Sequence, residues 1–152
     1  MILELLTNRV FICAMLAWII GQAVKVPLEY RQTHKLNWSL LLSTGGMPSS
    51  HTAMVTATAL SIGLYYGFDS PLFALALVVA SVVSYDATGI RRQAGLQAEK
   101  INQIIEEAFS GHPLNEKQLT EMLGHSPLEV IGGLLLGIVI AVITRLLWPL
   151  PA

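Results

Sequence analysis

Two short segments carry the residue types that phosphorus chemistry needs, and each stands at the head of an apolar run. The first is Gly45-Gly46-Met47-Pro48-Ser49-Ser50-His51-Thr52-Ala53. Its glycines make the backbone pliable, Pro48 suits a helix start, and Ser49 or Ser50 can cap that helix. The first N–H groups of a helix have no partner within it, and together with the helix dipole they attract an anion. His51 falls in this first turn and can face the same anion. On residue types alone, a capped helix with an interfacial histidine is an equal reading.

The second segment is Gly124-His125-Ser126-Pro127-Leu128-Glu129. Pro127 opens the last apolar run, which puts His125 at its mouth and Glu129 about one turn inside. Their i, i+4 spacing can bring the carboxylate to the imidazole, fixing its tautomer and stabilising its cationic form. A carboxylate inside a membrane span costs about 2–3 kcal/mol or more without a partner, and His125 supplies one. The alternative is a Glu129 that snorkels to the interface. Between these segments, Asp86 closes another apolar run, and Arg91 and Arg92 follow within about 1.5 turns. Guanidinium forks match phosphate oxygens, although an Asp–Arg pair at a helix end is also a purely structural device. The two arginines point about 100° apart on a helix, so one of them faces any given anion. Lys25 and Arg31 add cations on the same side.

Two histidines, a carboxylate beside one of them, a helix start and several cations suit phosphoryl transfer, in which positioning and charge neutralisation supply most of the catalysis. One histidine could attack phosphorus while the other protonates the leaving oxygen. No Cys/His cluster has zinc-ligand spacing, whereas a magnesium ion on Asp86 or Glu129 is compatible with these residues.

The elements that must position these residues are helices in lipid. Hydrophobic residues make up 53% of the chain and charged residues 12%, roughly half the charged share of a soluble domain. The near-zero net charge gives no reason to expect a nucleic-acid partner. Four stretches, 10–28, 49–66, 71–90 and 127–150, approach the about 20 residues needed to cross about 30 Å of hydrocarbon. The expected fold is therefore all-α: a single-domain polytopic membrane bundle of about four spans, with short amphipathic surface helices. The second stretch is the shortest and the richest in Ser and Thr, but Ala53, Ala57 and Ser61 recur every fourth residue. Ala76, Ala80, Ser84 and Thr88 do so in the third, and Gly133 and Gly137 in the fourth. Such small residues let helix backbones approach closely in lipid, so these three spans are expected to pack together.

Gly67-Phe68-Asp69-Ser70-Pro71 reads as a tight turn joining an antiparallel hairpin. Segments 28–48 and 91–126 are long and polar. The latter holds an amphipathic stretch with Ile101, Ile104, Ile105 and Ala108 on one face, then a short helix opened by Asn115 and Gln118. These helices are expected on the membrane surface or over the site. The first run reads as an uncleaved helix, being long and preceded by Glu4 where a signal peptide would be basic. Cys13, the single cysteine, is expected to be buried and inert.

With four crossings, Lys25, Arg31, Lys35, Arg91, Arg92, Lys100 and Lys117 fall on the side of the long loops, and Arg9 and Arg145 fall opposite. The positive-inside rule makes the loop side cytoplasmic. If Lys25, Arg31, Arg91 and Arg92 are kept for substrate, three cations remain against two.

GGMPSSHTA, GFDSPLFALA, YDATGIRRQAGLQA and GHSPLEVIGG together resemble the divergent branch of the type 2 phosphatidic acid phosphatase superfamily, related to acid phosphatases and vanadium haloperoxidases. The likeness runs from about Lys25 to Gly137. The parent superfamily carries K-x6-R-P, P-S-G-H and S-R-x5-H-x3-D. Pro48-Ser49-Ser50-His51 is similar to the second motif, with Ser50 for glycine; the likeness implies that Ser49 and Ser50 help hold phosphate and that His51 protonates the leaving group. His125-x3-Glu129 resembles the end of the third motif, with glutamate for aspartate, which implies His125 as nucleophile and Glu129 as its orienting partner. Lys25 and Arg31 stand one residue closer than the first motif requires, and no proline follows Arg31. Gln118-Leu119 stands where the third motif has Ser-Arg, a gap that Arg91 or Arg92 could fill from the end of the third span.

The resemblance implies a metal-independent lipid phosphate phosphatase without a cofactor, in the cell membrane. Its parent superfamily commonly has six spans, so four suggest completion by a homodimer. A cytoplasmic site favours phosphatidylglycerophosphate or phosphatidic acid as substrate, and an outward site polyprenyl diphosphate. A non-catalytic lipid-phosphate binder or transport component is the alternative of a different class.

Overall fold

The computed structural model describes residues 2–42, 45–108 and 124–149, with backbone alone at 2, 32, 90–92 and 106–108. The described residues fold into six α-helices and one 3-10 turn, with no strand among them. A short α1 (Ile2–Leu6) precedes α2 (Arg9–Thr33); the 3-10 turn Trp38–Leu42 follows. Then come α3 (Ser50–Tyr66), α4 (Pro71–Thr88), α5 (Ile90–Ala108) and α6 (Pro127–Leu147).

Four of the helix starts are built alike. Asn8, Ser49, Ser70 and Ser126 sit in extended conformation, and each side chain accepts the N–H three residues on, from Phe11, Thr52, Phe73 and Glu129. Each cap satisfies a donor that the helix itself cannot. Pro71 and Pro127 follow two of these serines, where a missing N–H costs nothing. At the hairpin turn Gly67 has φ +95°, and a Cβ there would lie 2.5 Å from an Asp69 carboxylate oxygen.

The protein is a helical membrane bundle. Among the described residues three helices are long and apolar enough to cross a bilayer: α2 over Arg9–Arg31, α4 within the stretch Pro71–Ile105, and α6. α3 has 17 residues and spans about 25 Å, less than the hydrocarbon of an average bilayer. It is nevertheless the hub of the bundle, packed on α2, α4 and α6. Its Ala53, Ala57 and Ser61 are fully buried, together with Cys13 and Ala17 of α2 and Ala141 of α6. Lipid-sized leucines and valines are instead exposed, as on α4 at Leu72, Leu75, Val78 and Val82. Small residues inside and large apolar residues outside are what a bundle solvated by acyl chains requires.

Two boundaries and one packing contact differ from the sequence reading. α2 passes through Pro27, which faces outward and removes one rung of the ladder, and ends only where His34 turns left-handed at φ 54°. α5 opens at Ile90, directly after Gly89, so the helix begins well before the amphipathic face at Ile101. The small stripe of α4 does not seat a helix along its length. Ala80 is buried, but Ala76, Ser84 and Thr88 are half-exposed, and α4 meets α6 only lightly. α3 stands between α4 and α6 and keeps them apart. The short helix expected from Asn115, including Gln118, lies outside the described residues.

Candidate active site

The loop-side ends of α3, α4 and α6 come together through backbone hydrogen bonds that secondary structure alone does not provide. Ser49 N donates to Glu129 O at 2.9 Å, tying the cap of α3 to the first turn of α6. His125 N donates to Ala87 O at 3.0 Å, tying the mouth of α6 to the last turn of α4. Glycines permit this approach. A Cβ on Gly133 would collide with the Ser49 carbonyl oxygen and lie 3.0 Å from Thr52 Cβ. One turn deeper, a Cβ on Gly137 would lie 2.5 Å from Ala53 O. On α2, a Cβ at Gly21 would be 3.1 Å from both Cα and Cβ of Ser50. The segments flagged by their chemistry are thus locked together at one edge.

His125 Nδ1 lies 2.6 Å from Glu129 Oε2, with the imidazole side chain 7% exposed and the carboxylate 24%. A carboxylate at this distance holds the proton on Nδ1 and leaves the Nε2 lone pair for chemistry. Glu129 is the partly buried acid expected to need a partner, and it has two. Lys25 of α2, 2% exposed, lies within electrostatic reach of it. Gly46, at φ +88°, passes over the same lysine, and a Cβ there would be 3.8 Å from Lys25 Cδ. Lys25 and the His125–Glu129 pair therefore gather at one edge, with Gly46 against the lysine stem.

Ser49 and Ser50 are fully buried. Ser49 Oγ accepts the Thr52 amide at 3.3 Å and the Thr52 hydroxyl at 3.0 Å. Ser50 Oγ has no hydrogen-bond partner among the described residues, a state that costs about 1–3 kcal/mol unless a bound group satisfies it. His51 is half-buried in the first turn of α3. Asp86 is half-buried in the last turn of α4, beside the carbonyl that receives His125 N. Arg31 is exposed in the last turn of α2, six residues from Lys25 and on a different face. Arg91 and Arg92 lie in the first turn of α5, with their side chains outside the described set.

Two features escaped the sequence reading. Gln22, 7% exposed on α2, neighbours Gly21 and stands three residues before Lys25. Its signal was a polar residue well inside a span, which marks a functional position by default. The other is a cavity of about 360 Å³ between α3, α4 and α6, lined by Thr56, Leu60, Phe73, Leu77, Ser84 and Ile138 among others. Along α4 it begins roughly 5 Å below Ala87, at Ser84, and ends roughly 20 Å below, at Phe73. No property of one segment predicts it.

Such a bundle, with an imidazole–carboxylate pair and a capped helix start at one edge, defines a helical membrane protein. A family model described as the divergent PAP2 family matches residues 6–140, and the chain belongs to that family. It is 42% identical over 152 residues to the uncharacterized membrane protein YuiD of Bacillus subtilis (strain 168), covering 93% of this chain and 96% of the relative. No solved structure matches.

Proposed function

We propose that this protein is a lipid phosphate phosphatase with His125 as nucleophile and His51 as proton donor. The 2.6 Å pairing of His125 with Glu129, at a carboxylate whose own backbone carbonyl receives Ser49 N, supports this reading most directly. His125 Nε2 attacks phosphorus, the bond to the lipid oxygen breaks, and that oxygen leaves with the proton of His51. Water then attacks the phosphohistidine, His51 accepts its proton, and inorganic phosphate is released. Lys25 and the start of α3 neutralise the phosphate oxygens, and the unsatisfied Ser50 hydroxyl is a ready donor to one of them. Arg31, Arg91 or Arg92 add charge as phosphate contacts at the rim, and Asp86 steadies the end of α4.

The groove favours a lipid over a soluble phosphate ester. Ser84, Ser81 and Thr56 lie with Leu134 in its site-side half, and Leu60, Phe73, Leu77 and Ile138 line its deep half, which suits an ester linkage followed by an acyl chain. Purified protein in detergent should release phosphate from phosphatidic acid or phosphatidylglycerophosphate far faster than from glycerol phosphate. Ala80→Trp, which fills the groove, should raise KM for the lipid while sparing the soluble ester. Equal rates on both substrates would remove the lipid reading, and lipid binding without phosphate release would replace catalysis with a binding role.

The excess of Lys and Arg on the loop side supports a site at the cytoplasmic face of the cell membrane. A cysteine introduced at Gln97 in a Cys13→Ser variant should resist an impermeant maleimide in intact cells and react in inverted vesicles. The reverse pattern would turn the site outward and shift the substrate to polyprenyl diphosphate.

A further inference from the structure

The bilayer edge opposite the proposed active site carries a second charged cluster. Arg9 opens α2, Tyr65 stands one residue from the end of α3, and Arg145 lies in the last turn of α6. The guanidinium of Arg9 sits 5.6 Å from the Tyr65 ring centre and 5.4 Å from that of Trp148. Arg145 sits 5.4 Å from the same tyrosine ring. Tyr65 is 7% exposed, and its hydroxyl is held by the carbonyl oxygens of Thr144 at 3.3 Å and Trp148 at 2.9 Å. The ring is therefore a fixed post against which two cations rest.

Two guanidiniums on one ring repel each other, and each presents five N–H donors. Among the described residues only Arg145 Nε has a protein acceptor, Leu64 O at 3.3 Å, and neither arginine is paired with a carboxylate. Both side chains are half-buried. Cation–π contact compensates part of the desolvation but none of the mutual repulsion. Among the described residues no group offers them an acceptor of two or more forked hydrogen bonds that also carries negative charge. Leu5, Leu6, Leu146 and Leu147 beside the cluster are exposed large apolar residues, and the half-exposed Trp148 is an interfacial type, so the arginines stand at headgroup height. Phospholipid phosphate is the anion at that depth.

We infer that Arg9 and Arg145, braced on Tyr65 and Trp148, bind the headgroup phosphate of an anionic phospholipid in the leaflet opposite the proposed active site. The bound lipid neutralises both cations and joins the outer ends of α2 and α6. The test uses Trp148 as reporter, with Trp18 and Trp38 replaced by phenylalanine, in vesicles of phosphatidylcholine with brominated lipid. Brominated phosphatidylglycerol should quench Trp148 with an apparent affinity about fivefold above brominated phosphatidylcholine. The preference should vanish in Arg9→Gln/Arg145→Gln and weaken at 1 M NaCl in the parent. Equal quenching by the two lipids, or a preference unchanged by both the double substitution and salt, overturns the inference. Loss of the preference in 10 mM inorganic phosphate at constant ionic strength also overturns it, because the site then selects a soluble anion.

Discussion

His125→Ala is expected to lower phosphate release by about a thousandfold or more, the scale seen when a covalent nucleophile is removed. The expectation rests on where the imidazole is held. Its Nδ1 is committed to Glu129 Oε2 at 2.6 Å, so only Nε2 can meet phosphorus. The substitution should leave the fold intact, because the contact that seats this residue is made by its backbone, His125 N to Ala87 O at 3.0 Å. Glu129→Gln keeps the shape but removes the charge that sets the tautomer, and should cost about 10–100-fold. His51→Ala should fall between these, and more mildly on substrates with an acidic leaving group that needs no proton. Rates are read as phosphate released per purified protein, with circular dichroism to confirm helix content. A His125→Ala protein retaining a tenth of parental turnover would sink the nucleophile assignment.

Gly133→Ala is expected to be the most damaging single-methyl change in the bundle, while Gly132→Ala, one residue away, is expected to be nearly silent. The new methyl at 133 meets the backbone carbonyl of Ser49, which cannot swing aside because Ala53 N and the helix start hold it. α6 would have to leave α3, and the hydrogen bond from Ser49 to Glu129 O would be lost with it. Overpacking of this kind costs about 1–3 kcal/mol, to which the broken contact adds. At 132 the nearest atom is Met47 Cε at 3.3 Å, the flexible end of an exposed side chain. Thermal unfolding in detergent should show a clear drop for the first variant and little change for the second. Equal midpoints would mean that α3 and α6 are not packed as described.

The amino-acid order alone determined whatever depends on neighbours within a few residues. The serine caps at 49, 70 and 126 sit where their helix-start chemistry puts them. The i, i+4 spacing of His125 and Glu129 yields their contact directly, since one helical turn brings such residues together. The small-residue repeat marked α3 and α6 as close partners, because only small side chains permit that approach in lipid. The same repeat placed α4 against α3 but overstated its contact with α6, where the stripe borders a groove, because periodicity shows that a face is small but not which helix fills it.

Tertiary structure decided everything that joins distant segments. That Lys25 lies under Gly46 and within reach of Glu129 depends on how α2 and α6 are placed against α3, which no local pattern records. The same holds for Arg9 and Arg145, read from the sequence as two sparse charges on the quieter side and brought by the fold to one tyrosine ring. A histidine and a carboxylate four residues apart already specify an oriented imidazole. Whether that imidazole meets a helix start, a buried lysine and an apolar groove is set by backbone approach at Gly21, Gly133 and Gly137, where the packing of whole helices decides the outcome.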